Sequence, residues 1–163
     1  MNISKKITIL NHKFSVQIRN ITRVRGINST LQDGKHILMW EFDEQEESIV
    51  VEGLKYVQAR WGLPEVHLAR SHPGGGYHAY SFKPVDFTRA LHIISGTPYV
   101  DPAYIRMCCI RQHFTLRLTD KGQGAPAWIR TLPGYSEAIA KPADLVSYVE
   151  YETYARKRVT VSA

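Results

Sequence analysis

Glu41 and Asp43 stand two residues apart in HILMWEFDEQEES, on a stretch whose apolar character reads as a β-strand. Alternate residues of a strand project from the same face, so the two carboxylates point the same way, about 7 Å apart along the chain. That separation brackets one or two divalent ions. Two carboxylates converging on hard cations suit in-line phosphoryl or nucleotidyl transfer, where one ion sharpens an attacking hydroxyl and the other neutralises the leaving group. The same pair on an exposed edge strand would be no more than solvated surface, and the spacing alone fits both. A second element lies in LARSHPGGGYHAYSF. A glycine run lets backbone approach a ligand closely, and its N–H groups can cradle anionic oxygens. His78 leaves this turn on a strand beside the acids, where an imidazole can donate to a phosphate; a glycine-rich hairpin with an incidental histidine is the alternative.

These residues need particular elements to position them. Residues 1–30 alternate loosely through Ile7, Ile9, Phe14, Val16 and Ile18, which suggests one or two strands before a turn at 32–35. Residues 36–42 form a short apolar run typical of a buried central strand. In 48–64, Val50, Leu54, Val57 and Trp61 share a helical face, acids precede them, and Gly62 and Pro64 end the helix. Residues 65–71 read as a strand, HPGGG as a turn and 77–82 as the returning strand. A second helix is expected from an Asp86 N-cap through Phe87, Leu91 and Ile94 to Gly96. A strong strand follows at 113–119. The stretch 122–142, rich in Gly and Pro, reads as an extended loop, and 142–158 as a final helix. The order β-α-β-β-α-β implies an α+β fold, an RRM-like antiparallel sheet with helices packed on one face. One domain over 1–163 accommodates this, with basic strands in 1–32 and the loop and helix in 122–163.

Charge is unevenly placed. The chain carries a formal charge of +6 with pI near 9.4, and residues 1–32 contain Lys5, Lys6, Lys13, Arg19, Arg23 and Arg25 with no acid. A second basic set, Arg106, Arg111, Arg117, Lys121 and Arg130, follows Asp101, whereas acids crowd between Glu41 and Glu52. Carboxylates concentrated within a basic protein are what a divalent ion serving a nucleic acid or nucleotide would need. Ordinary solvated charge would give the same totals. No apolar run approaches the roughly 18 to 20 residues that span a bilayer, and the N-terminus lacks signal-peptide features, so a cytoplasmic protein is expected. The adjacent Cys108 and Cys109 cannot easily bridge each other or supply four zinc ligands, which implies reduced, structural thiols.

In order and spacing these segments resemble the archaeo-eukaryotic primase superfamily, the primase-polymerase proteins of plasmids, phages and cells. LMWEFDE resembles the first motif, SHPGGGYHAY the second, and YVD ending at Asp101 the third, with AYIRMCCIRQHFTLRLTDKG similar to the basic segment beyond. The resemblance spans roughly residues 37–121. It implies a DNA primase or DNA-directed polymerase that starts or extends primers on single-stranded DNA or RNA templates in replication or repair. It further implies that Glu41, Asp43 and Asp101 hold Mg²⁺ or Mn²⁺, and that His78 and the turn, with Ser71, Gly75 and Gly76, hold a nucleoside triphosphate. Arg70, Arg117 and Lys121 would handle phosphates or template, and a helicase or other replication protein would be a partner. Two positions depart from the pattern: Glu41 stands where the motif usually begins with Asp, and Gly76 where a small hydroxyl residue is common. The chain also lacks a zinc-binding cysteine cluster.

Two other readings follow from the residues. Tyr154-Ala-Arg-Lys157 has the Tyr-x-x-Lys spacing of rolling-circle Rep endonucleases, though His67, His72 and His78 provide no histidine pair. RRM-like sheets also bind single strands without catalysis by stacking bases on aromatics, for which Trp40, Tyr77 and Tyr80 are the candidates.

Overall fold

A computed structural model describes residues 3–9, 12–18, 21–122, 124–145 and 148–154, with side chains described within 23–145. Strands β1 (Ile3–Ile9) and β2 (His12–Ile18) pair as an antiparallel hairpin. β3 (Ile21–Asn28) lies between β7 (Thr115–Arg117) and β9 (Tyr148–Tyr154) in a three-stranded antiparallel sheet. The candidate residues belong to a four-stranded antiparallel sheet built from β4 (His36–Phe42), β6 (Gly76–Val85), β5 (Val66–His72) and β8 (Ala127–Leu132), in that spatial order. Helices α1 (Glu47–Trp61), α2 (Phe87–Ser95) and α3 (Pro102–Arg111) complete an α+β fold with helices packed on one face of the sheet.

Local chemistry accounts for most boundaries. Val50, Leu54 and Val57 of α1 are fully buried, and the helix stops at Gly62, whose φ of 56° is the left-handed conformation that glycine tolerates without a Cβ clash. The Asp86 carboxylate accepts from the Arg89 N–H at 2.8 Å, closing the start of α2 as an N-cap. Trp40 is buried beneath α2, and its indole N–H donates to Thr97 Oγ1 at 2.9 Å, so the ring's one polar group is satisfied inside the core.

Four expectations change. β4 is buried as expected but stands at one end of its sheet rather than in the middle. α3 covers its free edge: the Asp101 N–H donates to Glu41 O at 2.9 Å and the Tyr104 hydroxyl to Met39 O at 3.0 Å. The basic segment 102–111 is this helix, started by Asp101 and Pro102, a cap followed by a residue with φ preset for the first turn. The strand expected at 113–119 shrinks to β7 and pairs with β3, so only the β4, β6 and β5 neighbours follow the split βαβ order. Finally, the expected loop at 122–142 contains β8, and where a helix is expected at 142–158 the described residues form a 3-10 turn (Pro142–Asp144) and β9, with 146–147 and 155–158 outside the described residues. YVEYETY is rich in the aromatic and β-branched residues that favour a pleated surface, which outweighs the helical spacing read there. Tyr154 therefore ends a strand instead of lying on a helix. Trp40 and Tyr77 are core residues, which removes them as base-stacking surfaces.

Candidate functional site

Alternation along β4 divides its side chains between two environments. Leu38, Trp40 and Phe42 enter the helix-covered core, while Met39, Glu41 and then Asp43 belong to the other face. Register carries that second face across the sheet: Glu41 pairs with His78, His78 with Ala69, and Ala69 with Trp128. Directly opposed residues share a face, so these four form one transverse row. His78 Nε2 lies 3.7 Å from Glu41 Oε1, and the imidazole is only 1% exposed, yet neither ring nitrogen has a hydrogen-bond partner. Buried polar atoms without partners are uncommon and costly, and here they sit beside a carboxylate at the open end of the sheet.

Asp43 follows the strand. Its Oδ1 is 3.8 Å from His72 Nε2, while His72 Nδ1 accepts from the Gly74 N–H at 3.1 Å. With Nδ1 occupied as an acceptor, the neutral ring carries its proton on Nε2, facing Asp43. Burial raises the Asp43 pKa, and the negative charges of Glu41 and Asp101 raise it further, against opposing pulls from His72 and Lys121. The three acids and Lys121 therefore share one electrostatic neighbourhood. Asp101 is committed differently from its partners: its carboxylate accepts from the N–H groups of Ala103 at 2.9 Å and Tyr104 at 3.0 Å at the start of α3. Among the described residues no three His, Cys, Asp or Glu side chains stand together in a geometry that would hold a metal. Glu41 and Asp43 nevertheless suit a hard divalent cation, because the Glu41 charge that disfavours ionisation of Asp43 would be offset by a positive charge beside the two oxygen donors. Asp101 would have to leave the α3 cap to become a third ligand.

The glycine turn serves mainly to pack the acidic loop. Gly75 has φ +87°, and a Cβ there would lie 2.7 Å from Gln45 O, while the Gln45 N–H donates to Gly75 O at 3.0 Å. At Gly76 a Cβ would run into the His72 ring and Ser71 Oγ. The expected cradle of free amides is thus partly used within the protein, since Gly74 N–H already serves His72. Ser71 is buried, with its carbonyl oxygen accepting from Arg117. Arg117, also buried, donates in addition to Thr119 O at 3.1 Å and Gly124 O at 3.0 Å. Carbonyl partners hold the guanidinium in place without neutralising it. It lies near Tyr80, whose hydroxyl pKa burial raises, with Glu41 pushing the same way and Arg117 opposing.

Arg70 is the candidate that the fold takes elsewhere. It pairs in register with Tyr77, on the opposite face from Ala69 and His78, and its guanidinium meets Glu47 at 3.1 Å. Glu47 also binds Arg130, so these charges tie α1 to the sheet. Arg70 is one residue out of phase with the site, and a strand sends such a residue to the other side. His72 was missed as a site residue, although the hairpin offered a signal: closing HPGGG as a tight turn opposes His72 to Gly76 and brings it back beside the acids. No family model, curated protein or solved structure matches the chain.

Proposed function

We propose that the protein is a metal-dependent nucleotidyltransferase that synthesises or extends primers on single-stranded DNA templates. The observation carrying this reading is the grouping of Glu41, Asp43 and the unpartnered, buried His78 on one sheet face, with Lys121 in electrostatic reach. Glu41 and Asp43 would hold Mg²⁺ or Mn²⁺, which when bound supplies activation of the primer hydroxyl and neutralisation of the leaving group. His78 donates from a ring nitrogen to a phosphate oxygen, an interaction strengthened by its dry surroundings. Lys121 draws the triphosphate towards the acids, and Arg117 keeps a positive field behind them. Asp101 adds negative charge beside the pair while holding α3. Glu41 reaches further than the aspartate usual at this position and would hold the ion from a longer side chain than Asp43 does.

No described helix is long and apolar enough to cross a membrane. On this reading the chain works in the cytoplasm on DNA or RNA templates with nucleoside triphosphates, alongside a helicase or other replication protein.

Primer synthesis and extension with Mg²⁺ and with Mn²⁺, run beside single-strand binding in chelator, test the reading. Asp43→Asn is expected to lower the rate 10²-fold or more, about the effect of removing a group that stabilises transition-state charge, while leaving strand binding intact. A wild-type protein that yields no product under either ion, yet binds single strands unchanged in chelator, is a binding module and not a polymerase.

A further inference from the structure

Trp128 is 69% exposed at the second residue of β8, whereas Trp40 is buried and Trp61 is half-buried under the Arg89 guanidinium at 4.4 Å. Single apolar side chains on a surface are common, so exposure alone assigns nothing. Register gives Trp128 its meaning. A register shift between Leu68 and Ala69 puts Trp128 opposite Ala69, although Arg130 two residues on pairs with Leu68, and through Ala69 the indole joins the transverse row of His78 and Glu41. With neighbouring strands about 4.8 Å apart, Trp128 is about 10 Å from His78 and about 14 Å from Glu41, measured across the backbone. The residue between Trp128 and His78 is alanine, which leaves low ground where a larger side chain would fill the space.

Beside the acids, one segment supplies positive charge that suits a polyanion. Residues 118–122 and 124–126 lead from β7 into β8, and Arg117 holds them by its bond to Gly124 O. Asp120 Oδ1 accepts from the N–H groups of Gly122 at 2.6 Å and Gly124 at 2.8 Å, which shapes the same segment. One connection thus carries the exposed Lys121, within reach of Asp43, and delivers Trp128 to the far end of the row. A cation and an aromatic ring separated in this way match the phosphate and base of a single strand.

We propose that Trp128 is a stacking platform for an unpaired base of the single-stranded template, laid across Ala69 towards His78 and the acids. This rests on the nucleotidyltransferase reading for the template's purpose, though the binding itself can be measured separately. Stacking needs no base-specific polar group: every base has a π face, so the contact tolerates any template sequence.

The test titrates a dye-labelled oligothymidylate, in chelator and at two salt concentrations, into wild type, Trp128→Ala and Trp128→Phe, following anisotropy and intrinsic tryptophan fluorescence. Thermal melting establishes that each variant is folded. Wild type is expected to show quenching of the exposed indole on binding. Trp128→Ala should bind roughly 5- to 150-fold more weakly, the loss of one base stack, with an unchanged salt slope because no phosphate contact is removed. Trp128→Phe should retain most of the affinity and lose the quenching. Equal binding by folded Trp128→Ala and wild type overturns the proposal, as does quenching by dTTP alone with none from the oligonucleotide, which would make the ring a free-nucleotide contact. Trp128-dependent strand binding in a protein that makes no primer product sustains this inference and removes the catalytic reading.

Discussion

The two faces of β4 differ in how well their polar groups are satisfied. On one side Leu38, Trp40 and Phe42 are fully buried against the helices, and the only polar group, the Trp40 indole N–H, has its partner in Thr97. On the other, exposure rises from buried Met39 to Glu41 and then Asp43, whose side chain is 52% exposed. Each group here is imperfectly satisfied: His78 has two unpartnered nitrogens, and Asp43 ionises against two neighbouring negative charges. A dry face optimised for packing favours the folded state. The acid face works against it, and a cation or phosphate would relieve that opposition, as expected where a fold departs from full consistency for a site.

This contrast can be broken at its strongest point first. Trp40→Ala should cost about 3 to 5 kcal/mol, the range for deleting a buried aromatic ring, read as a fall in denaturant midpoint. A change below about 1 kcal/mol, within the range of ordinary surface substitutions, would mean that the helix-covered face is not what holds the sheet. Gly75→Ala should cost about 1 to 3 kcal/mol, because the left-handed backbone is strained with a Cβ and that carbon meets Gln45 O. It should also lower activity, since the displaced loop carries Asp43; an active, fully stable variant would show that the turn does not position the acids.

Asp101 sharpens the comparison because it serves both purposes. Asp101→Ala removes the α3 cap and should lose about 1 kcal/mol, whereas Asp101→Asn keeps one of the two capping acceptors and should lose less. If Asp101→Asn also keeps full activity in primer extension, the third acid is structural only. Asp43→Asn should have the smallest effect on stability, of the opposite sign. The folded pKa of Asp43 lies above the ordinary 3.8, so the native protein binds more protons between those values and loses stability as pH rises through that window. Replacing the carboxylate should raise the melting temperature at pH 7, with the difference vanishing below the unfolded pKa. A variant less stable than wild type at pH 7 would show that the His72 contact outweighs the repulsion.

Cysteine chemistry follows the same division between packed and open surfaces. Cys108 is buried, with its thiol pKa pushed up to about 12 chiefly by burial, while its neighbour Cys109 is exposed. Adjacent positions on α3 place them on different sides of the helix, as a period of 3.6 residues requires.

Much of the site's positioning was legible in local pattern. The apolar alternation of β4, the cap at Asp86, the glycine stop at Gly62 and the turn at HPGGG each rest on interactions within a few residues, so composition and spacing reveal them. Those features also placed Glu41, Asp43 and His78 on a common face. β8 and β9 were not legible in this way: a short strand amid Gly and Pro, and a tyrosine-rich segment that also fits a helix, become strands by finding partners in β5 and β3. Such partners lie far along the chain, and no local period encodes them.

By itself, then, the sequence determined which side chains could carry phosphate chemistry and that β4 would divide them between two faces. Tertiary structure alone decided how each was used. It sent Arg70 to Glu47, committed Asp101 to the start of α3, gave Arg117 to three carbonyl oxygens and brought Trp128 into register with His78. A residue's chemical type fixes what it can bind, but its hydrogen-bond partners and burial depend on strand register and helix docking, which are long-range properties of the folded chain.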